Sequence, residues 1–186
     1  MDGPDRVDVL QRATTARRAA VTRDRHGSAV IEFPNDLEIL IIREFHAPID
    51  LVFDVFTKPE HVRKTFAPFG EEIKECLIDL RLGGNYHLVF VTGDGTECSF
   101  RGTFLEIEPP TRTTQTWLFE GWPDAHAVES MVLHETRGVT KVTYSLAFLD
   151  QAGRDHMAKY DGLVANFDNV ENLLRSLLDS RGAVAG

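Results

Sequence analysis

Cysteine is scarce. Cys76 and Cys98 are the only two in the chain, and neither stands in a metal-knuckle spacing or in the kind of framework that staples small secreted domains. A reducing cytoplasm is the expected setting. Also missing is any apolar run approaching the ~20 residues that a membrane-spanning helix needs, and the first residues lack the charged, apolar and small-residue succession of a signal peptide. Neither export nor anchoring is expected. Positive charge is in deficit, with 20 Lys and Arg against 29 Asp and Glu and a formal net charge of -9. A nucleic acid or an anionic membrane surface therefore has no general electrostatic attraction for the chain, and neither is expected as a partner.

Motifs for metal, nucleotide and nucleophilic chemistry are absent as well. Seven histidines occur, yet none forms a His-x-His or His-x-x-x-His set that would bring two ligands to one face. Ser99, Ser130 and Ser145 lie within strand-like stretches, with no Gly-x-Ser-x-Gly elbow around any of them. Gly83-Gly84 and Gly93-Asp94-Gly95 read as hairpin turns, and neither opens a helix that would cradle phosphate. No metal, no cofactor and no catalytic residue is predicted.

What remains is the balance of an ordinary globular domain: 186 residues, 42% of them hydrophobic and 26% charged, enough for one sizeable core. Residues 1–27 read as a flexible basic arm, residues 28–180 as the folded domain and residues 181–186 as a disordered tail. Within the domain, Ala29 to Phe33 and Leu37 to Phe45 are extended, separated by Pro34-Asn35-Asp36. Leu51, Val52, Val55 and Phe56 recur at helical spacing after Pro48. Thr57 and Glu60 have the spacing of a capping box, which predicts a second short helix carrying Val62 and Phe66.

Six strand-like stretches follow, at Glu72 to Leu80, Asn85 to Val91, Glu97 to Ile107, Thr113 to Phe119, Val128 to Leu133 and Val139 to Leu149. Short turns such as Pro109-Pro110, Gly121-Trp122-Pro123-Asp124 and Arg137-Gly138 join them, which predicts an antiparallel meander. From Arg154 to Leu178 the period becomes helical, with Met157, Tyr160, Leu163, Val164, Phe167, Val170, Leu174 and Leu177 on one stripe. The expected architecture is α+β: a curved antiparallel sheet with two short helices, gripping one long C-terminal helix.

Several segments extend this to a family. Ala47-Pro48, Pro59-Glu60-His61-Val62, Leu80 to Tyr86 through Gly83-Gly84-Asn85, Asp94-Gly95-Thr96-Glu97, Phe100-Arg101-Gly102 through Pro109-Pro110, and Thr116-Trp117 resemble those of the bacterial SRPBCC proteins. More narrowly, they are similar to the branch named after the activator of heat-shock-protein ATPase, homologue 1-like. The resemblance covers about Leu37 to Leu178. It implies the START-like, or Bet v 1-like, helix-grip fold with an interior cavity between sheet and helix. Two departures alter the expected cavity shape. Thr65-Phe66-Ala67-Pro68 stands where such proteins commonly carry Trp-Trp-Gly-Pro, and Gly162-Leu163 where they carry Gly-Trp.

Strand alternation then proposes the inward residues. If Trp117 points inward, so do Thr113, Gln115 and Phe119, and the buried Gln115 amide requires a partner, either a ligand or an internal group. Phe66, Tyr86, Phe90, Phe100, Gln115, Trp117, Met131, Tyr144, Tyr160, Val164 and Phe167 are the expected ligand contacts. The expected function is binding of a hydrophobic or amphipathic small molecule, admitted near Phe66 to Gly70. Two alternatives stand beside it. One is a polyketide cyclase or dehydratase type of enzyme, with Tyr86, Tyr144, Tyr160, Glu129 and His134 as acid–base candidates. The other is a co-chaperone that activates a heat-shock-protein ATPase. The sequence leaves the oligomeric state open, homodimers being the common assembly of soluble proteins of this size.

Overall fold

The computed structural model describes residues 23–25, 29–68, 71–120, 125–159 and 162–184. The expectations placed on Tyr160, on Phe69 and Gly70, on the turn at Gly121 to Asp124 and on most of the basic arm lie outside these residues. Among the described residues nine strands form one antiparallel sheet. They are β1 (Arg23–Arg25), β2 (Ala29–Glu32), β3 (Glu38–Phe45), β4 (Glu72–Ile78), β5 (Asn85–Val91), β6 (Glu97–Glu108), β7 (Arg112–Phe119), β8 (His126–Thr136) and β9 (Val139–Phe148). The order across the sheet is β1-β2-β3-β9-β8-β7-β6-β5-β4.

That order follows from the turns. Each hairpin from β4 to β9 is short, so sequence neighbours pair. At the β8–β9 hairpin, Arg137 and Gly138 both take positive φ, 54° and 77°, as a two-residue turn matched to the strand twist requires. β3 instead closes on β9, from Glu38 opposite Ala147 to Phe45 opposite Thr140. The chain must then cross from β3 to the far edge at β4. Helices α1 (Ile49–Thr57) and α2 (Pro59–Thr65) make that crossing, and α3 (Gln151–Met157) and α4 (Gly162–Val184) follow β9. Register shifts between Ile73 and Glu75 and between Phe104 and Glu106 add local bend.

The core lies where α1 and α4 meet the inner face of β3 and β9. Ile41, Phe45, Val52, Val55, Val142, Leu146 and Val170 are all almost wholly excluded from solvent, each worth roughly 2 kcal/mol of burial. Phe167 stacks on Phe45 at 6.4 Å and meets Phe56 at 5.6 Å and Tyr144 at 5.8 Å, so α4 is held to both the sheet and α1. Arg43, only 6% exposed, donates to Asp168 of α4 at 2.5 Å and lies over the Phe45 ring.

Four expectations need correction. The long C-terminal helix α4 starts at Gly162 and not at Arg154, and Arg154 to Met157 belong to the separate short helix α3. Asp150 caps α3 by accepting from the Gly153 amide at 2.7 Å. The capping box does not form. Thr57 donates its hydroxyl to the Phe53 carbonyl within α1, and α2 starts at Pro59 behind Lys58 with no side-chain cap. Arg23 to Arg25, read as part of a loose arm, pairs with β2 from Arg23 opposite Ile31. Finally, α4 continues to Val184, past the boundary drawn at residue 180.

Candidate ligand-binding cavity

Between the concave face of β5 to β9 and the helices lies a cavity of about 560 Å³. The interior is hollow rather than filled. Its sheet wall carries Tyr86, Leu88 and Phe90 from β5, Phe100 and Phe104 from β6, Thr113, Gln115, Trp117 and Phe119 from β7, Glu129 and Met131 from β8, and Tyr144 from β9. These are the alternate residues of each strand, as the pleat demands. Phe56, Val62, Phe66, Met157, Phe167 and Val170 close it from the helix side.

Phe100 organises the aromatic part of the wall. It stacks on Phe119 at 4.9 Å and contacts Phe66 at 5.4 Å, Trp117 at 5.5 Å and Phe90 at 5.9 Å. Phe66 thereby links the end of α2 to the sheet. Tyr86 needs a gap in the neighbouring strand, and Gly102 supplies it. A methyl group at Gly102 would come within 1.8 Å of the Thr116 carbonyl oxygen and 2.6 Å of the Tyr86 ring. Through that gap the Tyr86 hydroxyl donates to the Thr116 carbonyl at 3.1 Å.

A polar cluster interrupts the apolar wall. Gln115 and Glu129 are directly opposed across β7 and β8, and the Gln115 amide donates to the Glu129 carboxylate at 2.9 Å. The internal partner that Gln115 required is therefore a carboxylate. Tyr144, diagonal to Glu129 across β8 and β9, also hydrogen-bonds to it, and Tyr86 reaches Gln115. Burial raises the Glu129 carboxyl from its usual 4.5 to about 7, the Tyr144 bond offsetting only part of the effect. Burial, with the Glu129 charge adding to it, likewise drives the Tyr86 and Tyr144 hydroxyls far above their ordinary range. The side chain of Glu129 is partly accessible, but as a cavity-lining group deep among protein atoms it faces the cavity rather than open solvent.

The opening lies by the β5–β6 hairpin, where the exposed residues Thr96 and Glu97 join Glu71, Thr92, Pro68 and Gly162 in the lining. Oε2 of Glu71 and Oδ1 of Asn166 are buried there without a hydrogen-bond partner, and burial raises the Glu71 carboxyl, with Asp94 adding to it. Asn169 of α4 donates to the carbonyls of Thr65 and Ala67 at 3.2 and 2.9 Å. This ties α4 to the segment carrying Phe66.

Of the expected contacts, the structure brings Phe66, Tyr86, Phe90, Phe100, Gln115, Trp117, Met131, Tyr144 and Phe167 to one cavity. Tyr160 and the side chain of Val164 lie outside the described residues. Glu129 was named only as an acid–base candidate, although it shares strand parity with Met131. Glu71, Asn166 and Asn169 gave no sequence signal, since their placement depends on how α4 meets the β5–β6 end. His87 faces outward, bridging Glu75 and Ser99, and His134 is exposed on the sheet. Among the described residues no group of three or more His, Cys, Asp and Glu side chains is arranged to hold a metal, and no helix is long and apolar enough to cross a membrane.

A sheet gripping a long helix over a lined cavity defines a helix-grip protein of the START-like class. The model of the family described as "Activator of Hsp90 ATPase homolog 1-like protein" matches residues 46–175, and the chain belongs to that family. Solved structures share the fold. A Rhodobacter sphaeroides protein is 18% identical with a TM-score of 0.73, covering 81% of this chain and 99% of its own. A Nitrosomonas europaea protein is 25% identical with a TM-score of 0.67, covering 76% and 96%. A protein from Arthrobacter aurescens is 18% identical with a TM-score of 0.70, covering 78% and 91%. No curated protein matches the chain.

Proposed function

We propose that this protein binds a hydrophobic or amphipathic small molecule inside the grip. The observation that carries the reading is the composition of the cavity wall: about 560 Å³ of space faced mainly by aromatic and aliphatic side chains, with one concentrated polar cluster at Gln115, Glu129 and Tyr144. Apolar walls supply the driving force for an apolar body, and a few convergent polar groups fix its orientation. Thr65 to Pro68, held by Asn169, forms one side of the proposed route inward. A titration with the neutral fluorophore N-phenyl-1-naphthylamine tests this. Saturable binding should occur near one equivalent and be lost when Met131→Trp fills the space; a non-saturable response, or one indifferent to that substitution, contradicts it.

One observation favours a second reading, an enzyme of cyclase or dehydratase type. A carboxyl that titrates near 7 inside an apolar cavity is matched to proton transfer at neutral pH. In that reading Glu129 moves a proton at the substrate, while Gln115 and Tyr144 hold the carboxyl in place. The test is turnover of an activated polyketide-like chain by the protein and by Glu129→Gln. A rate that the substitution leaves unchanged removes this reading.

A further inference from the structure

Among the described residues the carboxylates of the cavity lining outnumber its one basic group. Glu71 and Glu129 line the cavity, as does Glu97, which is ion-paired with Lys74 at the rim, and no Lys or Arg lines it among the described residues. His156 is the one basic side chain in the lining; its ring stacks on Phe119, and burial, with Lys159 adding to it, disfavours its charged form. Glu129 is contacted by neutral donors, the Gln115 amide and the Tyr144 hydroxyl, and no cation of the described protein stabilises its charge. Above about pH 7, where Glu129 gives up its proton, a buried carboxylate in that position is costly unless something of opposite charge reaches it. The open space beside it is the cavity itself.

We infer that the ligand carries a cationic amine head, seated against Glu129 with its apolar body along the Phe100 wall. The aromatic surroundings fit such a head. Tyr86 and Tyr144 are joined to the Gln115–Glu129 pair, Phe104 is opposite Gln115 in the register, and Trp117 lies two residues along the same strand face. Ring faces around a carboxylate attract an ammonium group twice over, through ion pairing and through the ring quadrupoles. An anionic head, such as a fatty-acid carboxylate, would meet like charge at Glu129 and again at Glu71, the Glu97 charge being offset by Lys74. A neutral alcohol would gain a hydrogen bond but leave the Glu129 charge uncompensated. Near the opening, the partnerless Oε2 of Glu71 adds an acceptor and no donor, which points the same way.

This inference rests on the reading of the cavity as a binding site, and one experiment separates the two. Decylamine, decanol and decanoate compete in turn against bound N-phenyl-1-naphthylamine on the full chain at pH 8, where Glu129 is ionised. The amine should bind roughly tenfold tighter than the alcohol, a difference of one ion pair partly screened by cavity water, and decanoate should bind most weakly. Glu129→Gln, shown by its thermal transition to be folded, should lower amine affinity to that of the alcohol. In the wild-type protein the amine preference should also fade as pH drops below 7. Equal binding of all three, a preference for decanoate, or an amine preference that survives Glu129→Gln overturns the cationic head while leaving the cavity reading intact. Failure of the fluorophore and all three probes to bind overturns both.

Discussion

The Gln115 side chain donates to the Glu129 carboxylate at 2.9 Å, and both face the interior of the grip from adjacent strands. The pair is a local conflict in the fold: apolar walls surround a group that prefers water. Its consequences for stability are separable from its consequences for binding.

Glu129 makes the folded protein sensitive to pH in a defined direction. With its pKa raised from 4.5 to about 7, the folded state holds this proton more tightly than the unfolded chain does. Its contribution therefore falls as pH rises from 4.5 through 7, and the full destabilisation is present above that. Glu129→Gln, which keeps an acceptor oxygen for Gln115, should stabilise the protein by up to about 3 kcal/mol at pH 8 and by almost nothing at pH 4.5. Urea unfolding of both proteins at the two pH values measures this. A gain of equal size at both would contradict the assignment.

Gly102 is needed for the close passage of β6 against β7 and Tyr86. Because a methyl group there would lie 1.8 Å from the Thr116 carbonyl oxygen, Gly102→Ala must push the strands apart or displace the tyrosine. A loss of about 3 kcal/mol in urea unfolding is expected. Tyr86→Ala made alongside should recover only part of it, since the backbone oxygen remains.

Asn169 joins α4 to the carbonyls of Thr65 and Ala67, across the proposed way in. Asn169→Ala should cost about 1 to 2 kcal/mol in stability. It should also raise both association and dissociation rates of N-phenyl-1-naphthylamine in stopped-flow measurements. Rates equal to wild type would show that the route lies elsewhere.

The Arg43–Asp168 pair links β3 to α4 beneath the core. Asp168→Ala leaves a buried guanidinium, and a loss of about 2 kcal/mol is expected. Arg43→Met in the same background should restore most of it, because an apolar side chain of similar length needs no counter-charge. A double variant no more stable than the single one would contradict this.

Much of this arrangement was legible in the residues. Strand alternation alone placed Gln115 on the same face as Trp117 and required a partner for it. The same parity, carried from Met131 back to Glu129, would have named that partner, but a glutamate in a strand reads as a surface residue until its cross-strand neighbour is known. Helical periodicity failed at the C-terminus for a physical reason. Met157 and Phe167 both line the cavity, so the apolar stripe continues from one helix to the next and hides the boundary between them. Thr57 and Glu60 have the spacing of a capping box, yet the Thr57 hydroxyl is already spent on Phe53. β1 left no pattern because Arg23-Asp24-Arg25 has no apolar residue to alternate. Whether the interior was hollow could not be read from strand alternation, since the same aromatic residues fill a core or line a cavity; only the family resemblance implied a cavity.

The most direct test of the carrier account is native mass spectrometry of the full chain purified from the cells that make it, followed by extraction of the same sample into organic solvent. The account predicts a bound species of small mass, released by the solvent and missing from Met131→Trp. A chain of unliganded mass that also fails to take up N-phenyl-1-naphthylamine would contradict it.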